Sequence, residues 1–90
     1  MKFEVEVKIR NRLGLHARPA SRFAQLASEF ESDVWLVRDG YVVDGKSILE
    51  VLTLACPKGT ELIIRTDGKD AEQALEALRR LVTGRFGELD

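Results

Sequence analysis

The sequence predicts an α+β open-faced sandwich, in which a largely antiparallel sheet carries helices on one face and meets solvent on the other. Three features predict it: an alternating first segment, two segments with apolar residues at helical spacing, and a two-residue hairpin signal. The elements follow in the order β-α-β-β-α-β-α, within a single domain over 1–90. A sheet that exposes one face to solvent buries its other, apolar face under helices.

The first strand and first helix are predicted from their periodicities. Odd positions from Phe3 to Ile9 are apolar and even positions are charged, which indicates a strand with one buried face. The first helix is predicted over 17–29 from the helical spacing of its apolar residues, Ala20, Phe23, Ala24, Ala27 and Phe30.

The dipeptide Asp39-Gly40 between two apolar runs predicts a hairpin. The stretch from Gly40 to Ser47, GYVVDGKS, also fits the nucleotide phosphate-loop pattern G-x-x-x-x-G-K-[ST]. Such a loop joins a buried parallel strand to a long helix, so that backbone amides converge on phosphates. Because Gly40 lies in a hairpin turn here and the next residues favour a strand, we interpret the match as fortuitous.

A short second helix is predicted after Ser47 and before Pro57. Ser47 is followed three residues later by Glu50, which is the capping-box pattern.

The last strand is predicted over 60–66 and is followed by a turn at Asp67-Gly68. Asp70, answered by Gln73, is predicted to cap a final helix that stops at Gly84. Residues 85–90 carry no strong signal.

Composition excludes several function classes. The chain has 14 basic and 15 acidic residues, whereas a nucleic-acid binder needs a basic excess. Cys56 is the only cysteine, so an internal disulfide and a CxxC site are impossible, and one histidine with one distant cysteine makes no metal cluster. No cofactor is expected. The longest apolar-rich run is interrupted by Glu50 and is too short to cross a bilayer, so we predict no membrane insertion. Residues 1–10 alternate polar and apolar residues and lack the apolar region of a secretory signal, so we predict a cytoplasmic protein.

The segment from Gly14 to Ser21, GLHARPAS, is the candidate for a reactive site. His16 falls at the expected start of the first helix, Pro19 is tolerated in a first turn, and Gly14 permits a sharp bend before it. The amides of Ala17 and Arg18, with the helix dipole, would surround the ring with positive charge and favour its neutral, nucleophilic form. Arg18 could also grip phosphate oxygens. The alternative is an exposed loop histidine without a chemical role.

GLHARPA and GKSILEVLTL together resemble the HPr family, the histidine-containing phosphocarriers of the bacterial phosphoenolpyruvate-dependent phosphotransferase system. The resemblance covers nearly the whole chain and implies four antiparallel strands covered by three helices. It implies that His16 is phosphorylated at Nδ1 by phosphorylated enzyme I and passes the group to a histidine of an enzyme IIA domain. Arg18 would steady the phosphate and Pro19 would shape the helix start. The protein would then be a phosphorylated intermediate rather than an enzyme with free-substrate turnover.

The resemblance also implies a regulatory site, because Ser47 matches the serine that HPr kinase/phosphorylase modifies in some bacteria. Glu50 departs from the small residue often found there. We hypothesise that the serine switch is weakened, since Glu50 would repel a phosphate on Ser47.

Partner docking is predicted on a face that combines the first two helices. Its small or apolar contacts would be Ala17, Ser21, Ile48, Leu49 and Leu52, and its basic rim Arg18, Arg22 and Lys46. We expect Leu49 to be exposed, Val51 to be buried, and the protein to be a monomer.

The segment NRLGLHARPA is also similar to NPr, the HPr paralogue of the nitrogen-related phosphotransferase chain. A regulatory module that acts mainly through protein–protein interaction therefore stands as the alternative to a role in sugar uptake.

Overall fold

A computed structural model describes residues 1–88 and confirms the predicted order of elements. Its elements are β1 (Lys2–Lys8), α1 (Ala17–Ala27), β2 (Asp33–Arg38), β3 (Tyr41–Asp44), α2 (Ile48–Leu52), β4 (Glu61–Asp67), α3 (Ala71–Thr83) and a 3₁₀ turn at Arg85–Gly87.

The four strands form one antiparallel sheet in the order β1-β4-β2-β3. Ile64 of β4 is paired with Val5 on one side and with Leu36 on the other, so the apolar positions of neighbouring strands share a face. The helices cover this face, and their apolar residues join those of the strands in one buried cluster. Glu4 and Glu6 are exposed on the opposite face, as the alternation predicts.

The hairpin between β2 and β3 turns at Asp39 and Gly40, whose φ angles are 50° and 81°. Positive φ at both central residues is the mark of the turn that suits a two-residue hairpin. The following segment continues as strand, and the helix after it has only five residues. GYVVDGKS therefore lacks the strand–loop–long-helix arrangement of a nucleotide loop.

Helix α1 ends two residues earlier than predicted. The amide and hydroxyl of Ser28 both donate to the Ala24 carbonyl, at 3.0 and 2.8 Å. The next amide, that of Glu29, donates to Leu26 at 3.1 Å, so the bonds shift from a four-residue to a three-residue spacing. Phe30 stays half-buried in this tightened end.

The capping box predicted at α2 is only half correct. The Ser47 hydroxyl accepts from the Glu50 amide at 3.2 Å and caps the helix as expected. The Glu50 carboxylate instead accepts from the Asp44 amide at 3.0 Å. It ties the helix to the end of β3, while the Ser47 amide donates to the Asp44 carbonyl at 3.2 Å.

The prediction that the Asp70 side chain caps α3 is wrong. Asp70 occupies the N-cap position, but its carboxylate accepts from the amides of Glu31 and Ser32 at 3.0 and 2.9 Å, and from the Ser32 hydroxyl. These bonds, the Ser32 hydroxyl first, lower the pKa of Asp70. The carboxylate thus joins the start of α3 to the turn before β2.

Gly84 does end α3, as predicted, although its own φ is −85°. The left-handed conformation that follows a helix lies instead at Arg85 and Phe86, with φ of 58° and 55°. These residues bring the segment after α3 toward α1.

Candidate active site around His16

His16 occupies the N-cap position of α1 with an extended backbone, φ −82° and ψ −171°. The chain reaches it through a sharp bend at Gly14, whose φ is 73°. A Cβ at Gly14 would overlap the Cys56 carbonyl oxygen and lie 2.9 Å from the Cα of Pro57. The next amide, that of Leu15, donates to the same Cys56 carbonyl at 2.8 Å. Gly14 is therefore required by both conformation and space, and it sets where His16 begins the helix.

The amino end of α1 presents backbone donors beside the imidazole. The His16 carbonyl accepts from the Ala20 amide at 2.9 Å. Pro19, which is buried, is the third helical residue and carries no N–H. Within residues 1–88, the His16 ring caps none of the first-turn amides. The amides of Ala17 and Arg18 therefore keep the partial positive charge of a helix start.

The imidazole has a carboxylate partner that the sequence did not indicate. His16 Nε2 lies 3.2 Å from Glu88 Oε2, and the two side chains are 35% and 17% exposed. The other carboxylate oxygen, Oε1, accepts from Asn11 Nδ2 at 3.0 Å. Asn11 is fully buried and also donates to the Gly14 carbonyl at 2.6 Å. One asparagine thus joins the bend before His16 to the carboxylate on its ring.

The segment that carries Glu88 is anchored to the core. Phe86 in the 3₁₀ turn is 1% exposed and belongs to the main apolar cluster. The Arg22 guanidinium on α1 donates to the Phe86 carbonyl. Glu88 therefore approaches His16 from a fixed backbone.

An open groove of about 560 Å³ adjoins the ring, and its walls come from the loop before α1, from α1 and from the segment after α3. It is lined by Arg12, Leu13, His16, Arg18, Arg22, Gly87 and Glu88. Three guanidinium groups against one carboxylate make the groove net positive. Such a site favours an anion such as a phosphoryl group.

The remaining predicted site residues lie on α1 and around α2. Ala17 is exposed, and half-buried Ser21 shares a second groove of about 400 Å³ with Lys46 and Ile48. Lys46 is partly engaged, since its ammonium donates to the Phe30 carbonyl at 2.8 Å.

The exposure of the α2 residues distinguishes a solvent-exposed side of the helix from a buried side. Leu49 is 74% exposed and Val51 is fully buried, as predicted. Ile48 is 37% exposed, and Leu52 packs partly against the core.

Leu13 is 69% exposed and lines the His16 groove, although no sequence pattern indicates it as a site residue. No pattern in the sequence indicates Glu88 or Asn11 either. The HARPA segment indicates a site by its local sequence pattern. Asn11 and Glu88 are recognised as site residues only from their hydrogen bond, which joins positions 77 residues apart.

Cys56 lies in the core beneath the bend at Gly14. Burial raises the pKa of its thiol, and the nearby Arg38 guanidinium opposes that rise only in part. The thiol is therefore held in its protonated, unreactive form.

Among the described residues, no group of three or more His, Cys, Asp or Glu side chains could hold a metal ion. None of the helices in 1–88 is both long and apolar enough to cross a bilayer.

Comparison with known proteins agrees with this geometry. The family model described as "PTS HPr component phosphorylation site" matches residues 3–84. The chain is 46% identical over 82 residues to the phosphocarrier protein HPr of Neisseria meningitidis, covering 91% of this chain and 92% of that protein.

Solved structures show the same fold. The crystal structure of HPr from Thermoanaerobacter tengcongensis superposes with a TM-score of 0.92 at 41% identity, covering 96% of this chain and 97% of that one. The catabolite repression protein Crh of Bacillus subtilis, a swapped dimer in its crystal structure, superposes with a TM-score of 0.75 at 43% identity, covering 88% and 91%.

Proposed function

Because the chain belongs to the HPr family of phosphocarriers, we propose that it receives a phosphoryl group on His16 from phosphorylated enzyme I and passes it to a histidine of an enzyme IIA domain. One observation carries the proposal: a half-exposed imidazole stands at the amino end of α1, beside a groove walled by Arg12, Arg18 and Arg22. Phosphoryl transfer depends mainly on positioning and on charge stabilisation. The site offers both.

The ring nitrogen that receives the phosphoryl group is Nδ1. Nε2 faces Glu88 at 3.2 Å, so Nδ1 is the nitrogen left for a donor. A phosphate on Nδ1 would meet the first-turn amides of Ala17 and Arg18 and the Arg18 guanidinium. The relay ends when an acceptor histidine takes the group, so the protein serves as a phosphorylated intermediate.

The test is phosphorylation by enzyme I with labelled phosphoenolpyruvate. We expect the wild type to acquire an acid-labile, base-stable phosphate, and His16→Ala to acquire none. Since His16 is the only histidine, no second imidazole can substitute for it. A wild type that accepts no phosphate from a cognate enzyme I would refute the proposal.

Partners dock, in this proposal, on the exposed apolar residues around His16 and α2. Leu13, Ile48 and Leu49 expose apolar surface there, and Arg18 adds a cation that steers acidic partners. Leu49→Glu should raise the KM for enzyme I by about tenfold or more, because the new carboxylate would lose its hydration in the interface without a partner for its charge.

Tyr41→Glu provides the matched control, since Tyr41 is 58% exposed on β3, outside this face. Its KM should equal that of the wild type. Equal effects of the two substitutions would place docking elsewhere.

A regulatory role is the second candidate, because the chain resembles the HPr-like protein Crh, at 44% identity over 77 residues, almost as closely as the phosphocarriers. Transfer from the phosphorylated protein to enzyme IIA domains of the sugar and nitrogen branches would separate the two roles. Preferred transfer to a nitrogen-branch domain, or binding to partners that is unchanged in His16→Ala, would favour regulation.

The protein is further proposed to act in the cytoplasm as a monomer. Sedimentation at micromolar concentration should give one species of about 10 kDa, the mass of a single chain. A stable dimer would contradict this.

A further inference from the structure

Glu88 is held by one contact to its carboxylate and by two contacts to the segment that carries it. Phe86 anchors its segment in the core, the Arg22 guanidinium binds the Phe86 carbonyl, and buried Asn11 binds Glu88 Oε1. A freely mobile surface glutamate would have none of these supports. The tertiary fold therefore maintains the contact between Glu88 and Nε2. Asn11, which binds Glu88, also donates to the Gly14 carbonyl just before His16.

We infer that Glu88 is a positioning residue for phosphoryl transfer: its carboxylate accepts the Nε2–H hydrogen bond of His16, which leaves the Nδ1 lone pair free to attack phosphorus. A carboxylate on one ring nitrogen selects the tautomer and orientation of a histidine that reacts through the other. This role rests on the proposed phosphorylation of His16.

The charge balance of the transfer step gives the carboxylate a second effect. The Nδ1 lone pair forms the bond to phosphorus, the bond from phosphorus to the donor breaks, and its electron pair returns to the donor. The Nε2 proton stays in place, so the ring becomes positively charged. Glu88 stabilises that charge from the Nε2 side, as the buried aspartate stabilises the imidazolium of a serine-protease triad.

The same carboxylate need not repel the incoming phosphoryl group. It contacts Nε2, which is separated from Nδ1 by the Cε1 atom, and the Nε2–H bond points away from the Nδ1 lone pair. Arg12, Arg18 and Arg22 line the same groove and outnumber it in charge. The groove therefore stays favourable to an anion while one ring nitrogen is bound by Glu88.

The test compares Glu88→Gln with the wild type in two assays. The glutamine keeps the length and shape of the side chain and removes its charge. We expect the kcat for phosphate acceptance from phosphorylated enzyme I to fall by about 10–100-fold, the range of losses seen when the hydrogen-bond partner behind a metal-binding histidine is removed. The KM for phosphorylated enzyme I should not change, since Glu88 acts on the ring and not on docking.

Nitrogen NMR of the unphosphorylated protein provides the second readout. In the wild type, Nε2 should carry the proton and Nδ1 should be unprotonated, with a slowly exchanging Nε2–H signal. Glu88→Gln should shift the Nε2 signal and speed exchange of that proton. Glu6→Gln, which removes an equal charge from an exposed strand position, is the matched control and should change neither readout.

The outcomes distinguish the positioning role of Glu88 from the proposed phosphocarrier function on which it rests. A Glu88→Gln protein with wild-type kcat, or one altered only in KM, would overturn the inference while leaving the phosphocarrier function intact. If the wild type itself accepts no phosphate, the proposed function is wrong. Independently of that result, His16 ring signals that are unchanged by Glu88→Gln would show that Glu88 does not contact the ring. Partial recovery in Glu88→Asp, which restores the charge on a shorter arm, would support the inference.

Discussion

At the scale of single residues, the site depends on Gly14 as much as on His16. Gly14 adopts φ of 73° and packs directly against the Cys56 carbonyl. A left-handed conformation is costly for other residues, and the absence of space for a Cβ adds a steric cost. The sequence pattern predicts the bend, while the close approach to Cys56 is visible only in three dimensions.

Gly14→Ala should destabilise the protein by more than the about 1–3 kcal/mol that left-handed strain alone costs, because the new Cβ would also force the 55–57 segment to move. Urea denaturation measures the loss, and the rate of His16 phosphorylation should fall with it.

Gly40→Ala is the control for that experiment. Gly40 has a similar φ of 81°, but a Cβ there would meet no atom within 4 Å. It should show the strain alone and a normal rate of phosphorylation. Equal losses in the two variants would mean that the contact with Cys56 costs nothing.

At the scale of elements, two helices with similar start signals use them differently. Ser47 caps α2 as its sequence pattern indicates, since its short side chain lets the hydroxyl accept a hydrogen bond from the Glu50 amide. Asp70 stands in the same position of α3 but binds the Ser32 turn, 38 residues away. A cap pattern takes account only of nearby donors, whereas the folded chain brings the distant donors of Glu31 and Ser32 to the Asp70 carboxylate.

Glu50 should suppress modification of Ser47 by an HPr kinase. Its carboxylate is held at the start of α2 by the Asp44 amide, so a phosphate on Ser47 would meet a nearby negative charge. Glu50→Ala should be labelled faster than the wild type. Glu72→Ala, which removes a first-turn glutamate from α3, should be labelled at the wild-type rate. Efficient labelling of the wild type, unchanged in Glu50→Ala, would refute the hypothesis.

Helix α3 should gain stability from Glu76 in a pH-dependent manner. The Arg79 hydrogen bond, assisted by Arg80, lowers the pKa of Glu76 to about 2. A lowered pKa contributes stability above the ordinary value of 4.5, and that contribution is lost as pH falls toward 2.

Thermal unfolding of Glu76→Gln measures this contribution. Its Tm should lie below that of the wild type at neutral pH, with the difference shrinking between pH 4.5 and about 2. Glu72→Gln should lack this pH dependence. A Tm difference that is constant over this range would rule out the ion pair as its cause.

At the scale of the whole molecule, the segment after α3 completes both the core and the site. Phe86 fills the apolar cluster, and two residues later Glu88 reaches the His16 ring across 72 positions of sequence. Stability and ring orientation are therefore linked through one short segment.

Phe86→Ala should destabilise the protein by about 3–5 kcal/mol, as large-to-small changes of buried aromatic residues do. It should also disturb the His16 ring signals in NMR, because Glu88 loses its anchor. Phe86→Leu, which keeps most of the volume, should cost less than about 1.5 kcal/mol and preserve the ring signals. Ring signals unaffected in a folded Phe86→Ala protein would show that Glu88 is positioned without the core.

The sequence by itself determined the order of elements, the buried face of the sheet, the hairpin at Asp39-Gly40 and the contrast between Leu49 and Val51. It also placed His16 at the start of α1. These features follow from periodicity and local backbone preference, which act over a few residues. Only the tertiary structure decided that Asp70 binds Ser32, that Gly14 meets Cys56 and that Glu88 holds His16. Such contacts join distant positions in the sequence. They depend on how the helices pack on the sheet, and a local sequence pattern does not encode that packing.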